Sequence, residues 1–413
     1  MFSRREFLKT SLQRSTLIAL APSIPGFLAQ TARTAEPLPD SRVLVVIELS
    51  GGNDGINTVV PFGDAGYAKW RKVLRLPANR LLKIDNEVGL HPAMGAAAKL
   101  LENGRLAIVQ GVGYPNPSRS HFKSMAIWHS ANVNLSRGDV VDAESKAVYG
   151  WIGQALDEGR KPADGSPAAQ LLGSGDMPIA LRSRRSVTSA ITRLEDAVLA
   201  RPLGATPAVA DAPGPRGNLA AFVRRSTLDA YATSERMAQV LRAADTGARY
   251  PATGLANQLR VVARLLKSGV GTRVFYTSQP FNVYDTHAVQ LPLQADLLSE
   301  LAGALRAFLD DLAHARLADR VLVLCFSEFG RRVQENGSHG TDHGTAGPVF
   351  LAGPGLRAGL VGEAPRLLDL EDGDLKMTTD FRRVYASVLE SWLGLPSKPA
   401  LGGTFATLPL FRA

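Results

Sequence analysis

Mainly apolar runs alternate with a helical pattern in the part of the sequence that begins at residue 43. Residues 43–49 and 106–110 are such runs, and each is followed by glycines, which is typical of strands buried on both faces of a parallel sheet. An apolar stripe over residues 92–103 predicts a helix between them. We therefore expect a strand–helix–strand unit with a right-handed crossover.

The alternation returns after residue 255, where strands are predicted at 272–277, 320–326 and 348–352 and helices at 293–314 and 381–393. Between these two regions, residues 160–254 are rich in Pro, Gly, Ala and Arg. We interpret residues 160–254 as an insertion or cap with a helical segment at 219–244. The sequence thus predicts an α/β fold with a mostly parallel central sheet, helices on both faces, and a core made of residues 36–159 and 255–413.

The first 35 residues have the features of a twin-arginine signal peptide in the expected order. Paired arginines at positions 4 and 5 precede Phe-Leu-Lys, and residues 15–32 are uncharged. This stretch is too short and too interrupted by proline to cross a membrane, and small residues at 29–35 offer a cleavage zone. We expect the twin-arginine translocation machinery to export the folded chain, which would be periplasmic or secreted with no membrane span in its mature part.

The charge and cysteine content of the chain limit which binding partners and cross-links we expect. Removing residues 1–35 takes away five basic residues and one acidic residue, so the formal net charge falls from +9 to +5. The remaining Lys and Arg residues are scattered, and we expect no nucleic-acid partner. An anionic small molecule or an envelope component remains as substrate. The single cysteine, Cys325, lies in an apolar run and excludes an intrachain disulfide.

Polar residues follow the first two predicted strands, at the edge where open α/β sheets bind ligands. Asp54 ends a glycine-rich turn and is a candidate ligand for a hard cation, although the turn alone explains this pattern. After the second strand, Ser118 or Ser120 either caps the next helix or acts as a nucleophile at its start. Arg119 between them is a candidate for holding an oxyanion.

Two later segments combine carboxylates with imidazoles. Asp285 and His287 are two residues apart, so their side chains point the same way in an extended segment. Glu328 follows the strand at 320–326, and Asp342 and His343 follow in the next loop. Carboxylate and imidazole together suit a divalent metal, and imidazole favours Zn²⁺ or another transition metal over Ca²⁺. The alternative is a pair of solvated polar loops.

These motifs together resemble a bacterial family of exported proteins known as domain of unknown function fifteen hundred and one. Besides the twin-arginine start, the matching segments are residues 49–61, 109–121, 284–287, 327–331, 340–344 and 378–382. That family in turn resembles the alkaline-phosphatase-like superfamily, which includes sulfatases and cofactor-independent phosphoglycerate mutases. The resemblance implies an alkaline-phosphatase-like fold with a two-metal hydrolase or transferase site at the carboxyl edge of the sheet.

On this resemblance, the implied metal is Zn, Mn or Ca, and Ser118 or Ser120 lies where the nucleophile helix begins. The residues that take the places of metal ligands are Asp54, Asp285, His287, Glu328, Asp342 and His343. Phe329 departs from the pattern, because the superfamily has a His at this position. In this chain the Asp342-His343 loop is the alternative source of that His. Pro115 stands where a formylglycine sulfatase has Cys or Ser, which excludes that class.

Two functions are therefore expected. The first is a metal-dependent hydrolase of phosphate or sulfate esters, in which metal ions polarise the ester. The second is a non-catalytic exported binding or assembly protein on a degenerate fold of the same class.

Overall fold

The computed structural model describes residues 42–135, 148–173, 175–191 and 247–412. Its strands, numbered in chain order, are β1 Val43–Glu48, β2 Val59–Val60, β3 Leu82–Lys83, β4 Gly89–Leu90, β5 Leu106–Gly113, β6 Ala169–Leu172, β7 Thr188–Ile191, β8 Val274–Ser278, β9 Val321–Phe326, β10 Gly347–Ala352, β11 Gly359–Val361, β12 Leu370–Glu371, β13 Asp374–Leu375 and β14 Thr379–Asp380. The predicted signal peptide and the predicted helix at 219–244 lie outside the described residues.

The helices, also numbered in chain order, are α1 Gly55–Thr58, α2 Ala65–Trp70, α3 Gly95–Glu102, α4 His121–Ser130, α5 Trp151–Glu158, α6 Gly254–Lys267, α7 Gln290–His314, α8 Phe381–Ser387 and α9 Ser397–Leu401. A π-helix at Val388–Leu393 continues α8 directly. Single turns of 3₁₀ helix are found at Ala78–Arg80, Pro92–Met94, Ile179–Leu181 and Ala318–Arg320. The predicted helix at 92–103 is thus a 3₁₀ turn followed by α3.

Nine strands of the described chain form the central sheet, in the order β11-β5-β10-β9-β1-β8-β6-β7, with β14 also paired to β5. Most neighbouring strands are parallel, and β10 runs antiparallel to both β5 and β9. The carboxyl ends of β1, β5, β8 and β9 therefore lie along one edge. The predicted α/β class with a mostly parallel sheet is confirmed.

Side chains of each strand alternate between two apolar layers, as the two-residue period of a strand requires. Leu44 and Val46 of β1 pack in the layer that contains α4, α5, α8 and α9. Val45 and Ile47 pack in the layer that contains α3, α6 and α7. Cys325 of β9 is buried in this second layer, and burial raises the pKa of its thiol to about 12. The helices thus cover both faces of the sheet, as predicted.

Two strands lie in the range that the sequence predicts to be an insertion. Strand β6 pairs with β8, and β7 pairs with β6, both in parallel. This part of residues 160–254 therefore belongs to the central sheet rather than to a cap. Both strands have only four residues, so they lack the long apolar run that identifies a buried strand in a sequence.

Candidate metal centre

Three imidazoles and one carboxylate converge beyond the carboxyl ends of the parallel strands. Nε2 of His343 lies 3.0 Å from Nε2 of His121, 2.9 Å from Nε2 of His287 and 3.0 Å from Oδ1 of Asp285. That same oxygen of Asp285 lies 3.0 Å from Nε2 of His287 and 3.4 Å from Nε2 of His121. We call these four residues the ligand cluster.

The cluster is assembled from three loops of the sheet edge. His121 is the first residue of α4, which follows β5, and Asp285 and His287 lie between β8 and α7. His343 lies in the loop between β9 and β10 and forms an isolated bridge with Arg331. The strand order of the sheet places β5 and β9 near each other, which brings His121 and His343 into contact although they are 222 positions apart in sequence.

Each imidazole of the ligand cluster is hydrogen-bonded through Nδ1 to an oxygen acceptor. Carboxylate and carbonyl oxygens only accept, so each Nδ1 carries the proton and each Nε2 keeps a lone pair directed into the cluster. A partner that fixes the ring and the tautomer in this way is typical of metal-binding histidines. The acceptors are Oε1 of Glu328 for His121 (2.7 Å), Oδ1 of Asp342 for His287 (3.1 Å) and the carbonyl oxygen of Arg119 for His343 (2.8 Å).

The four inward atoms fit a transition metal. Three unprotonated nitrogens and a carboxylate oxygen at 2.9–3.4 Å cannot hydrogen-bond to one another. A tetrahedral Zn²⁺ with ligand distances of about 2.0–2.1 Å has ligand atoms separated by about 3.3 Å. The separations among the inward atoms of His121, Asp285 and His343, 3.0–3.4 Å, match this value. These three atoms form a group that could share one cation, and His287 lies beside it, 2.9 Å from His343.

The pKa directions within the cluster agree with cation binding. Burial lowers the pKa of His343 and outweighs the close contact with the Asp285 carboxylate, which acts to raise it. Burial acts to raise the pKa of Asp285, yet its hydrogen bond with Arg331 and its contact with His343 lower it to about 2. Neutral imidazole and ionised carboxylate are the protonation states that a metal requires of its ligands.

Glu328 positions the cluster instead of joining it. Its carboxylate is buried and accepts hydrogen bonds from the backbone N–H groups of Gly51 and Gly52 as well as from His121. The two glycines have φ values of +114° and +74°. A Cβ atom on Gly51 would lie 2.7 Å from the backbone nitrogen of Asp285, so this approach requires a glycine.

Arg331 ties the loops of the sheet edge together. Its buried guanidinium donates to the carbonyl oxygens of Gly51, Gly52, Tyr284 and Thr341, and Nη2 lies 2.7 Å from Oδ1 of Asp285. A planar group with five donors suits such a set of converging acceptors. The sequence analysis included Arg331 in a matching motif but assigned it no role.

Asp54 does not join the ligand cluster. Its carboxylate forms a bidentate pair with Arg71, and it also accepts hydrogen bonds from the side-chain amide of Gln290 and the backbone N–H of Ile56. These donors leave no lone pair for a cation. The prediction that Asp54 binds a metal is therefore not supported, because an arginine remote in sequence neutralises its charge.

The residues predicted to be catalytic lie close to the cluster without an activating partner. Ser118 Oγ accepts from the N–H of Ser120, and Ser120 is the N-terminal cap position of α4 with no side-chain capping bond. Among the described residues, no imidazole or carboxylate is hydrogen-bonded to either hydroxyl. The guanidinium of Arg119 is paired with the buried Asp374, so the group proposed for an oxyanion is already bound to a carboxylate.

The structure thus sorts the predicted ligands into three sets. Asp285, His287 and His343 converge. Glu328 and Asp342 accept hydrogen bonds from the Nδ1 atoms of two imidazoles. Asp54 is paired with Arg71 instead. Within the described chain, one group of residues, His121, Asp285 and His343, could hold a metal ion, whereas the resemblance implies two metals. His121 completes the site and was not predicted as a ligand. Its position directly after the β5 loop and at the start of a helix was the available signal.

One protein family matches most of the sequence. Residues 41–400 match the family described as "Protein of unknown function (DUF1501)". No curated protein matches the sequence significantly.

Solved structures with a similar arrangement share little sequence with the chain. The lipoteichoic acid synthase LtaP from Listeria monocytogenes has a TM-score of 0.39 and 8% identity, covering 82% of this chain and 75% of its own. The PsFucS1 sulfatase from Pseudoalteromonas sp. has a TM-score of 0.40 and 10% identity, covering 92% and 72%. Murine ectonucleotide pyrophosphatase/phosphodiesterase 5 has a TM-score of 0.40 and 10% identity, covering 86% and 96%.

None of the helices in the described residues combines the length and the apolar character that crossing a bilayer requires.

Proposed function

Because the chain belongs to the DUF1501 family of proteins of unknown function, we propose its activity from its site: it is a metal-dependent hydrolase of phosphate or sulfate esters. The observation that carries the proposal is the convergence of three imidazole nitrogens and one carboxylate oxygen, each held by its own partner. Mutual repulsion makes such a group costly to keep unless it binds a cation.

His121, His287, His343 and Asp285 would hold the metal, with Zn²⁺ favoured by the three imidazoles over Mn²⁺ or Ca²⁺. A bound divalent metal supplies a Lewis acid that polarises an ester oxygen and makes water a better nucleophile. The side chains of His287 and Asp285 are 44% and 27% exposed, so an ester can reach this face of the cluster from solvent.

The protein's own residues keep the site in its reactive form. Glu328 holds the ring of His121 through Nδ1, and Arg331 holds the Asp285 carboxylate in its ionised form. We propose solvent water as the attacking group, since neither Ser118 nor Ser120 is hydrogen-bonded to a base among the described residues. A general base is the usual requirement for a serine nucleophile.

We further propose that the chain is exported through the twin-arginine route and acts in the periplasm or outside the cell. The motif at residues 4–9 and the apolar segment behind it support this proposal. Export of a folded chain also suits a site whose ligands lie 222 residues apart, because the complete sheet is needed before a metal can bind.

A second candidate function is a non-catalytic exported binding or assembly protein. One observation favours it: His287 lies beside the other three candidate ligands, and four protein ligands would fill a tetrahedral site, whereas catalytic zinc sites usually have three protein ligands and one open position. On this alternative, the metal stabilises the junction of the loops at the sheet edge and no ester is cleaved.

The two candidates are separated by experiments on protein purified after export. We expect about one Zn²⁺ per chain by elemental analysis, and release of phosphate or sulfate from p-nitrophenyl esters. Alanine variants of His121, Asp285, His287 and His343 should lose both metal and activity. His314→Ala is the matched control, because this histidine is exposed near the end of α7 and contacts only the carbonyl of Asp310.

The outcomes are distinct. Stoichiometric metal without turnover of either ester would favour the non-catalytic alternative. Ester cleavage that persists in Asp285→Ala, or protein that binds no metal, would refute the hydrolase proposal.

A further inference from the structure

A cavity of about 200 Å³ adjoins the ligand cluster on the side of α4. His121 and Glu328 form the wall that it shares with the cluster, and α4 continues along the cavity to His129. The far wall is formed by Glu48 at the carboxyl end of β1, and Phe122 and Phe281 also line it. Any ester bound at the cluster therefore has this cavity beside it.

Glu48 is positioned there by two donors that act on one of its oxygens. The Tyr276 hydroxyl donates to Oε2 at 2.5 Å, and Nε2 of His129 lies 3.0 Å from Oε2 and 2.9 Å from the Tyr276 oxygen. Burial and the Glu48 carboxylate raise the pKa of Tyr276 well above its usual value, so the hydroxyl keeps its proton and donates. Within the described residues, the hydrogen bonds of this carboxylate all fall on Oε2, which leaves Oε1 for another partner.

Two aromatic rings stand at the same cavity. Phe122 and Phe281 are 70% and 69% exposed, and their ring centroids are 6.2 Å apart. The two rings form a small exposed apolar surface that is available to contact a ligand bound in the cavity. Their faces carry partial negative charge, which attracts cations within about 6 Å of the centroid.

The permanently charged side chains of the cavity lining are acidic. The lining includes the carboxylates of Glu48 and Glu328 and the imidazoles of His121 and His129, and it contains neither Lys nor Arg. Glu328 is satisfied by backbone N–H groups and by His121, whereas Glu48 retains an oxygen without a donor. An anionic group is therefore disfavoured in the cavity, and a cationic group is favoured.

We infer that this cavity is a subsite for an ammonium group on the substrate, with Glu48 pairing with its charge and Phe122 and Phe281 contacting its apolar surface. The inference rests on the proposed ester hydrolase and deepens it: the preferred substrates are phosphate or sulfate esters of an amino alcohol. The ester group lies at the ligand cluster, and the ammonium group lies between Glu48 and the two rings. Tyr276 and His129 are positioning residues that hold the Glu48 carboxylate.

The test compares a cationic ester with a neutral ester of the same shape. Phosphate release is measured from choline phosphate and from 3,3-dimethylbutyl phosphate, in which carbon replaces the ammonium nitrogen. The wild-type protein should prefer choline phosphate in kcat/KM, and Glu48→Gln should reduce this preference by at least about tenfold. Glu102→Gln is the matched control, because this exposed glutamate ends α3 away from the cavity.

A binding measurement makes the inference testable without turnover. Calorimetry with tetramethylammonium should detect binding to the wild-type protein and to Glu102→Gln, with a loss in Glu48→Gln and in Phe281→Leu. Phe281 is exposed, so its variant stays informative even if the Glu48 variant does not fold. Absence of tetramethylammonium binding to wild type, or binding unchanged by these substitutions, overturns the subsite.

Failure of the subsite and failure of the hydrolase are distinguishable. Ammonium binding that depends on Glu48, combined with no cleavage of any ester, supports the subsite and refutes the hydrolase. Equal cleavage of the cationic and neutral esters supports the hydrolase and refutes the subsite.

Discussion

The carboxylate of Asp54 and the guanidinium of Arg71 form a bidentate ion pair with no solvent exposure on either side chain. Nη1 lies 2.5 Å from Oδ2, and Nη2 lies 2.9 Å from Oδ1. Arg71 also donates to the carbonyl oxygens of Val333 and Arg332, which joins the first loop of the sheet edge to the loop that carries His343. The pair therefore acts on the metal centre through the position of its loops.

Removal of one partner of this pair should be strongly destabilising. Arg71→Met leaves the Asp54 carboxylate buried without its cation, and we expect the free energy of unfolding to fall by about 3–5 kcal/mol. Urea denaturation followed by circular dichroism measures this change.

The folded fraction of Asp54→Asn should retain bound metal, in contrast to Asp285→Asn. Folded Asp54→Asn without metal would show that Asp54 is a ligand after all.

Glu328→Gln tests the support of His121. The amide keeps the shape of the carboxylate but loses the charge that orients the imidazole and raises its basicity, so Zn²⁺ affinity should fall about 10–100-fold. Competition with a chromogenic chelator gives this ratio directly. Glu371→Gln, an exposed residue of β12, should bind Zn²⁺ like wild type. An unchanged affinity in Glu328→Gln would mean that His121 needs no such partner.

Ser118→Ala and Ser120→Ala test whether a serine attacks the ester. Each variant should retain kcat within about twofold of wild type, because within the described ranges neither hydroxyl is hydrogen-bonded to a base and truncation leaves the ligand cluster intact. A covalent serine mechanism predicts instead a loss of three or more orders of magnitude in one of the two. Steady-state phosphate release on the two variants decides between these mechanisms.

His91 predicts a pH dependence of stability that is independent of the metal centre. Burial lowers its pKa from 6.5 to about 4, against the opposing effect of Asp54, and its Nδ1 accepts from the N–H of Ala93. Between these two pKa values the unfolded chain binds a proton that the folded chain does not, so stability is complete above pH 6.5 and declines as the pH falls towards 4.

The expected decline from this one group is about 2 kcal/mol between pH 8 and pH 5. Urea denaturation of wild type and of His91→Asn at pH 8 and at pH 5 isolates the contribution of His91, because asparagine can accept from the N–H of Ala93 but does not titrate. The metal-binding histidines contribute equally to both proteins and cancel in the difference. Identical pH slopes for the two proteins would contradict the buried, neutral state of His91.

Much of the fold was predictable because its central strands are buried on both faces. The apolar runs of β1, β5, β9 and β10 predict strands from the sequence alone. The polar residues that follow these runs indicate the edge of the sheet where a site forms. The short strands β6 and β7 carry no such signal, since their identity depends on pairing with β8. They were therefore assigned to an insertion.

The candidate site was predictable in its location and only partly in its membership. Asp285, His287 and His343 were recognised from the clustering of acid and imidazole residues. Asp54 belongs to an equally polar segment, but the sequence does not show that Arg71 will neutralise it. His121 was missed as a ligand because its segment offered two serines and an arginine that also suit chemistry. Which of these side chains turns inward depends on α4 packing against Glu328 and Phe329.

The distribution of the ligands along the chain has a consequence for biosynthesis. A nascent or truncated chain that lacks the segment after β9 contains at most three of the four ligands, and an unfolded chain has only Asp285 and His287 near each other. With the proposed metal, scavenging of a wrong ion by the emerging polypeptide would thereby be limited, and the ion acquired would be the one available where assembly is completed. Metal identity would then depend on the cellular compartment of folding as well as on the chemistry of the donors.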